Sequence, residues 1–238
     1  MIINDITNLL KENPYPGRGI IIGLSEDGGH AVMLYFIMGR SQNSRNRIFV
    51  KTNDGIKTQA FDPSKITDPS LIIYNPVRVL GVQTIVTNGD QTDTIYDCLS
   101  NGRSFRDALL TREYEPDAPN YTPRISGLIE SDGSYSLSML KTADGSPSSC
   151  LRCFFEYSTA IRGLGHFIST YKTDGDPLPS FEGEPIPIKI NLANGLDHFA
   201  QTVWDSMDSE NKVSLYAREI DITSGLAKEI IINKNTLV

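Results

Sequence analysis

Apolar residues in the first ninety positions occur in continuous blocks or with a period of two, which predicts β-strands. The blocks GRGIIIG and AVMLYFIMG are separated by a glycine-containing turn at 27–29, the signature of a β-hairpin. The runs RIFVKT, SLIIYNPVRVLG and VQTIVTNG predict further strands, with an edge position or a bend near Pro76. Together these strands predict a first sheet.

The apolar period changes between Gln91 and Arg112 to three or four residues, which predicts two helices in a hairpin, the second capped by Ser104. Strand patterns return in RISGLIE, YSLSML, CLRCFFEYS and GHFISTY, and these predict a second sheet. A helical stripe then precedes two last strands, KVSLYAREI and AKEIIIN; it consists of Leu196, Phe199, Ala200, Val203, Trp204 and Met207. Stacked sheets with helices outside predict an α+β fold in one domain, 1–238.

Composition narrows the class of protein. Hydrophobic residues at 39% and charged residues at 21% are ordinary for a soluble globular chain of 238 residues. We expect a cytoplasmic protein without a membrane partner, because no apolar run is long enough to span a bilayer and the first residues lack a signal-peptide pattern. The net charge of −7 argues against nucleic acid as a partner. Three cysteines do not suggest a disulfide framework.

Several common catalytic motifs are missing from the sequence. It contains no GxxxxGK[ST] loop, no GxSxG elbow and no HExxH pair. Cys150 and Cys153 form a single CxxC in a strand-like run, which favours core cysteines over a zinc site. The chemistry is therefore expected to use carboxylates, tyrosines, arginines or backbone groups.

Three polar segments are candidates for a site. GRSQNSRNRIF concentrates three arginines in an acidic chain, which indicates a phosphate or carboxylate site or, with equal weight, a solvated loop. REYEPDAPNYTPRI, 112–125, carries acids, tyrosines and arginines where a helix gives way to a strand, more than a connecting loop requires. The proline-rich segment, defined here as 171–188, is predicted to be a linker or a lid.

Six segments resemble the archaeal-type inosine monophosphate (IMP) cyclohydrolase family, which also has bacterial members: PGRGIIIG, MGRSQNSRNR, IYNPVR, TNGDQTDTI, EYEPDAPNYTPRISG and GHFISTYKTDGDPLPSFEGEP. The family-like core covers about 15–185. The resemblance implies closure of 5-formamidoimidazole-4-carboxamide ribotide to IMP with loss of water, in purine biosynthesis, without metal or organic cofactor. It also implies a four-layer αββα sandwich like that of N-terminal nucleophile hydrolases, without their nucleophile, since the chain opens with Met1.

The resemblance also implies site residues. Arg40, Tyr74 and Glu115 are the expected catalytic groups: Glu115 orients the carboxamide or relays its proton, Tyr74 hydrogen-bonds the formyl oxygen, and Arg40 stabilises the developing charge. The remaining predicted residues bind substrate, three at the 5'-phosphate and three at base or ribose: Arg45, Arg47 and Arg124, then Asn75, Asn88 and Asp93. The helix and strands over 190–238 are expected to complete the sheets or to form the interface of a homo-oligomer.

Each of these roles has a structural alternative. Glu115 could cap a turn, Tyr74 could be a packing residue, Asp93 could be a first-turn helix acid, and Arg124 could pair with Asp117 or Glu115. Alternatives at the level of function are a non-catalytic purine nucleotide-binding or regulatory protein, a related enzyme with a changed ribonucleotide substrate, and an amidohydrolase acting on small amides.

Overall fold

The computed structural model describes residues 2–65 and 73–236. Six strands form the first sheet: β1 Arg18–Leu24, β2 His30–Met38, β10 Leu164–Ser169, β11 Ile186–Lys189, β12 Lys212–Asp221 and β13 Ala227–Asn233. Seven strands form the second: β3 Arg47–Thr52, β4 Gly55–Ala60, β5 Val77–Leu80, β6 Gln83–Thr87, β7 Arg124–Ile129, β8 Tyr135–Ala143 and β9 Ser146–Tyr157. The strand orders are β11-β10-β1-β2-β12-β13 and β3 through β9 in sequence, with every neighbouring pair antiparallel.

The helices confirm the predicted α+β class. They are α1 Ile6–Glu12, α2 Gln42–Arg45, α3 Gln91–Ser100, α4 Phe105–Leu110 and α5 Gly195–Ser206, with a 3-10 turn at Pro63–Lys65. The helix hairpin α3–α4 is present, and Ser104 caps α4 by accepting from the Asp107 N–H while the Asp107 side chain accepts from the Ser104 N–H. The apolar stripe of α5 is buried as expected. Helices α1 and α2 and strands β4 and β11 were not predicted; β11 begins inside the segment 171–188 that was expected to be a linker or a lid.

The predicted grouping of strands into sheets is wrong. The hairpin β1–β2 does not share a sheet with β3 to β6; it lies between β10 and β12. Strands β3 to β6 instead continue into β7, β8 and β9. Apolar periodicity reports which faces of a strand are buried and carries no information on its neighbour, so the pattern could not assign partners. Part of the predicted strand SLIIYNPVRVLG lies outside the described residues, and β5 begins directly after Pro76.

Three apolar clusters show how the layers stack. Side chains of β1 and β2 alternate between two clusters: Ile20 and Ile22 face the second sheet, while Ile21 faces α1 and α5. Helices α3 and α4 cover the opposite face of the second sheet through a third cluster that includes Ile95 and Leu109. Because both faces of β1 and β2 are covered, their sequences read as continuous apolar blocks rather than as alternating patterns.

The C-terminal region contributes two of the six strands of the first sheet. Strand β12 pairs with β2 along most of its length and separates β2 from β13. Helix α5 packs on the outer face of this sheet beside α1. The region expected to complete the sheets therefore does so. No helix among the described residues is long and apolar enough to cross a membrane.

Candidate functional site

Charged and aromatic side chains gather at one end of the two sheets. Arg18 opens β1, Arg47 opens β3, and Tyr74 lies just before β5. Glu115 lies in the loop between α4 and β7, and Arg124 opens β7. In antiparallel sheets the start of one strand lies beside the end of the next, so residues distant in sequence meet at this end. We call this group the end cluster.

Tyr74 is held by a strand of the second sheet and contacts the first. Its backbone N–H donates to Thr58 Oγ1 at 2.9 Å, and its carbonyl accepts from the Thr58 N–H at 2.9 Å. Its hydroxyl lies 2.9 Å from the hydroxyl of the fully buried Tyr35. Burial raises the pKa of Tyr35 well above its usual value. The Tyr35 hydroxyl therefore stays protonated, and the hydrogen-bonded pair can donate to a further oxygen.

Glu115 is buried without an ion-pair partner. The residue is 2% exposed, and its carboxylate has no cation within 4 Å among the residues the structure describes. Burial raises its pKa to about 7, against the opposing effects of Arg18 and Arg124. The turn that follows is instead held by the Asp117 carboxylate, which accepts from the N–H and hydroxyl of Thr122. The carboxylate of Glu115 is thus left for another role.

Arg124 pairs with neither acid considered from the sequence. Its Nη1 lies 2.7 Å from Asp90 Oδ1 and donates to Gln91 Oε1 at 2.7 Å. Asp90 also binds Arg112, at 2.6 Å. Partial burial raises the pKa of Asp90, but these two arginines outweigh this effect and hold the pKa below its usual value. Arg124 therefore has a fixed position within the end cluster.

Of the three arginines in the arginine-rich loop, two lie near the surface and one is buried. Arg40 binds Asp174 at 2.6 Å and donates to the Gly175 carbonyl at 2.9 Å, both in the proline-rich segment. Arg45 donates to the Gly39 carbonyl at 2.8 Å and to Asn211 Oδ1 at 2.9 Å. These two arginines therefore hold loops together near the surface. The third, Arg47, belongs to the interior.

Arg47 and Arg18 are cations inside the end cluster. Arg47 is 0% exposed; its Nε donates to the Ser44 carbonyl at 2.8 Å and its Nη2 to the Met38 carbonyl at 3.4 Å. Its Nη1 and the Nε of Arg18 are buried without a hydrogen-bond partner among the described residues. Sequence reasoning missed Arg18. The available signal was a single charged residue at the first position of an otherwise apolar strand.

The other predicted substrate contacts are engaged with protein groups. Asn75 donates to Asp93 at 3.3 Å, and Arg78 binds the same carboxylate at 3.1 Å. Asp93 lies in the first turn of α3, as expected if it is a first-turn helix acid. Asn88 donates to the Pro123 carbonyl at 2.9 Å and accepts from the backbone N–H at the second position of β7, 2.8 Å away. Asn88 thus fixes the start of that strand.

The end cluster brings together chemically complementary groups. It holds a buried carboxyl group with a pKa of about 7, a hydrogen-bonded pair of phenol hydroxyls and the guanidinium groups of three arginines. Such a set can transfer a proton and stabilise a negative oxygen. Within the described ranges no group of three or more His, Cys, Asp or Glu side chains could hold a metal ion.

Comparison with known proteins gives one consistent result. The family model described as IMP cyclohydrolase-like protein matches residues 15–225. A Methanopyrus kandleri protein named IMP cyclohydrolase is 30% identical over 190 residues, which cover 71% of this chain and 89% of that protein. Proteins named IMP cyclohydrolase from Methanococcus maripaludis and Methanosphaera stadtmanae are each 36% identical to this chain, over 128 and 124 residues. These matches cover 51% and 50% of this chain but only 61% and 59% of the relatives' own length.

Proposed function

The chain belongs to the IMP cyclohydrolase-like family, and from this premise we propose that it is a cyclohydrolase that closes 5-formamidoimidazole-4-carboxamide ribotide to IMP, the ring-closing step of purine biosynthesis. The observation that carries the proposal is Glu115. A buried carboxyl group with a pKa of about 7, close enough to Arg18 and Arg124 to feel their charges, suits proton transfer at neutral pH.

The reaction requires the enzyme to position its substrate and does not require a covalent enzyme intermediate. The carboxamide nitrogen attacks the formyl carbon of the same molecule. A C–N bond forms while the π electrons of the formyl C=O bond move onto its oxygen. The carboxamide nitrogen and the formamido nitrogen each lose one proton, and the formyl oxygen leaves with both as water. Holding the two substituents in the reactive rotamer supplies a large part of the rate enhancement.

Two of the three predicted catalytic residues keep their proposed roles. Glu115 accepts the carboxamide proton, for which it must be ionised, and Tyr74 donates a hydrogen bond to the formyl oxygen. Tyr35 supports Tyr74 by fixing the direction of its hydroxyl. For Arg40 we propose a place at the entrance, because its guanidinium contacts the proline-rich segment.

The predicted substrate contacts also remain proposals. Arg45, Arg47 and Arg124 are proposed to bind the 5'-phosphate, and Asn75 and Asp93 the ribose or base. Each of them is engaged with a protein group, so these contacts require an exchange of partners. Asn88, whose amide atoms hold β7, is proposed to act through the backbone that it positions.

We propose the finer description of the fold on the same basis: a four-layer αββα sandwich like that of N-terminal nucleophile hydrolases, without their nucleophile. Two stacked antiparallel sheets with helices outside support it. Three free cysteines support a reducing, cytoplasmic location, and the acidic net charge supports a small-molecule substrate over nucleic acid. Leu151, exposed on the edge strand β9, supports a homo-oligomer.

The test of the proposed function is an assay of ring closure. Purified, EDTA-treated protein is mixed with the formamido ribotide, the ultraviolet change is followed, and IMP is identified by chromatography. Protein-dependent IMP formation is the expected result, and it would also show that no bound metal is needed. Saturable IMP binding by a folded protein that gives no turnover would instead support a non-catalytic nucleotide-binding protein.

A further inference from the structure

The edges of the two sheets are not equally protected. At β3 the side-chain amide of Asn233 accepts from the Phe49 N–H at 2.9 Å and donates to the Phe49 carbonyl at 3.0 Å. At β11 the backbone of Asn4 donates to the Pro187 carbonyl at 2.9 Å and accepts from the Lys189 N–H at 3.0 Å. The third edge, β13, carries charged side chains held in ion pairs, which are Lys228 with Asp197 and Glu229 with Lys51. Such features keep a sheet edge from pairing with another chain.

The fourth edge, β9, lacks this protection over most of its length. With 12 residues it is the longest strand that the structure describes. Pro147 protects only its start, since a proline offers no N–H. Residues 150–157, which we call the open edge, read CLRCFFEY and include neither proline nor lysine. Among the described residues, no segment other than β8 hydrogen-bonds to the backbone of the open edge. An edge of this kind is a template for a further strand.

The two faces of the open edge differ in character. Cys153, Phe155 and Tyr157 pack on the apolar cluster between the sheets. Phe154 points the other way, onto the cluster beneath α3 and α4, and the Arg106 guanidinium lies over its ring at 4.4 Å. A strand added here therefore has to continue an apolar row on the inner face and a partly charged row on the outer face.

Arg152 and Glu156 give the outer row one charge of each sign. The Nε and Nη2 of Arg152 donate to the Arg112 carbonyl at 3.1 and 2.9 Å, and Nη2 lies 3.7 Å from the exposed carboxylate of Glu113. Glu156 is exposed and has no ion-pair partner in the part of the chain that the structure describes. The two charges flank Phe154 at equal spacing along the strand. An identical strand rotated by half a turn about Phe154 therefore places opposite charges face to face twice.

We propose that β9 pairs with β9 of a second copy of this chain, antiparallel and centred on Phe154, so that the two seven-stranded sheets join into one. In this register Arg152 faces Glu156 of the second copy, and Cys153 faces Phe155. Directly opposite residues of an antiparallel pair lie on the same face, so the inner row stays apolar and the α3–α4 layers of both copies lie on one side. Moving the centre by one residue keeps the faces but loses both charge pairs. The inference gives the proposed homo-oligomer a surface and a register, and it is independent of the ring-closing activity.

Charge reversals test this register. Glu156→Arg places two arginines opposite each other, whereas the double variant Arg152→Glu/Glu156→Arg exchanges the charges and restores the opposition of unlike signs. Light scattering and sedimentation over a range of protein concentrations measure the association. We expect wild type to be a dimer or an assembly of dimers, and Glu156→Arg to raise the Kd of the β9 contact at least about tenfold. The double variant should return toward the wild-type Kd. Glu12→Arg, which reverses an exposed acid at the end of α1, is the control and should match wild type.

Hydrogen exchange shows where the contact lies. Backbone amides of the open edge that point away from β8 gain an acceptor on pairing. They should therefore exchange at least about tenfold more slowly in concentrated wild type than in diluted wild type or in Glu156→Arg. The amides of β1, in the interior of the first sheet, are the control and should not respond to protein concentration.

The outcomes of these two experiments are decisive. A wild type that stays monomeric at every concentration would overturn the inference, and so would an assembly that Glu156→Arg leaves intact. An assembly whose open edge exchanges as fast as that of the monomer would overturn it by moving the contact to another surface. If Glu156→Arg does not fold, the concentration dependence of exchange in wild type decides alone. All of these results leave the proposed ring closure standing.

Discussion

At the scale of single residues, Glu115 links stability to pH. Its pKa rises from an ordinary value of 4.5 to about 7 on folding, so between these pH values the folded protein holds a proton that the unfolded chain has released. The free energy of unfolding contributed by this group therefore falls as the pH rises through that window. At pH 8 the buried carboxylate costs up to about 3 kcal/mol.

Glu115→Gln removes this cost and, on the proposed mechanism, the proton acceptor as well. We expect the variant to melt at a higher temperature than wild type at pH 8, with the difference vanishing below about pH 4.5, where wild-type Glu115 is protonated in both states. Melting curves across this pH range measure the effect. A variant that is less stable at pH 8 would contradict the assignment of a raised pKa.

Gly89 tests the packing around Arg124. A Cβ atom added to Gly89 would lie 2.5 Å from Arg124 Nη1 and 2.6 Å from Gln91 Oε1, and 3.3 Å from Glu115 Oε1. We expect Gly89→Ala to displace these side chains and to lower kcat/KM at least about tenfold. Gly29→Ala is the matched control, because its nearest contact would be an ordinary 3.5 Å. Equal kinetics for the two variants would show that the geometry beside Gly89 is not critical.

At the scale of elements, the proline-rich segment bridges the two loops that flank the end cluster. Its Asp174 binds Arg40, and its Leu178 N–H donates to Asn120 Oδ1 at 3.1 Å. At its start, the Tyr171 hydroxyl lies 2.6 Å from Thr122 Oγ1. Glu115 and Tyr74 are buried, so on the proposed function a ribonucleotide reaches them only if neighbouring segments move.

The exposed Arg40–Asp174 pair is the contact that can open at least cost. We expect Asp174→Ala to increase the association and dissociation rates of IMP severalfold in stopped-flow experiments, while the free energy of unfolding changes by less than about 1 kcal/mol. Lys172→Ala, which breaks the exposed Lys172–Glu182 pair within the same segment, is the control. Unchanged rates for Asp174→Ala would exclude a covering role for this contact.

Elements were easier to predict than their arrangement. Apolar runs located most of the described strands, and the capping residue Ser104 marked α4, because these signals are local. The pairing of β1 with β10 and of β2 with β12 joins strands far apart in sequence. For the same reason the sequence showed that the arginine-rich loop is polar, but it could not show which of its arginines is buried. Arg18 was missed because its neighbours come from the opposite sheet.

At the scale of the whole molecule, the C-terminal strands belong to the core. Leu215 and Ala217 of β12 are fully buried in the cluster beneath α5, and β12 pairs with β2 across nine positions. Truncation after residue 211 would uncover this cluster and the edge of β2. We expect the truncated chain to lose its cooperative melting transition, whereas truncation after 234 should leave it intact. Cooperative melting of the shorter chain would contradict this account of the core.

The central claim is that ring closure takes place at the end cluster through the ionised form of Glu115. The most direct measurement is the rate of IMP formation by wild type and Glu115→Gln between pH 5.5 and about pH 9. The account predicts a wild-type kcat/KM that rises through an apparent pKa of about 7, and a variant that is at least about 100-fold slower and lacks this transition. Wild-type activity in the variant, with the same pH profile, would contradict it.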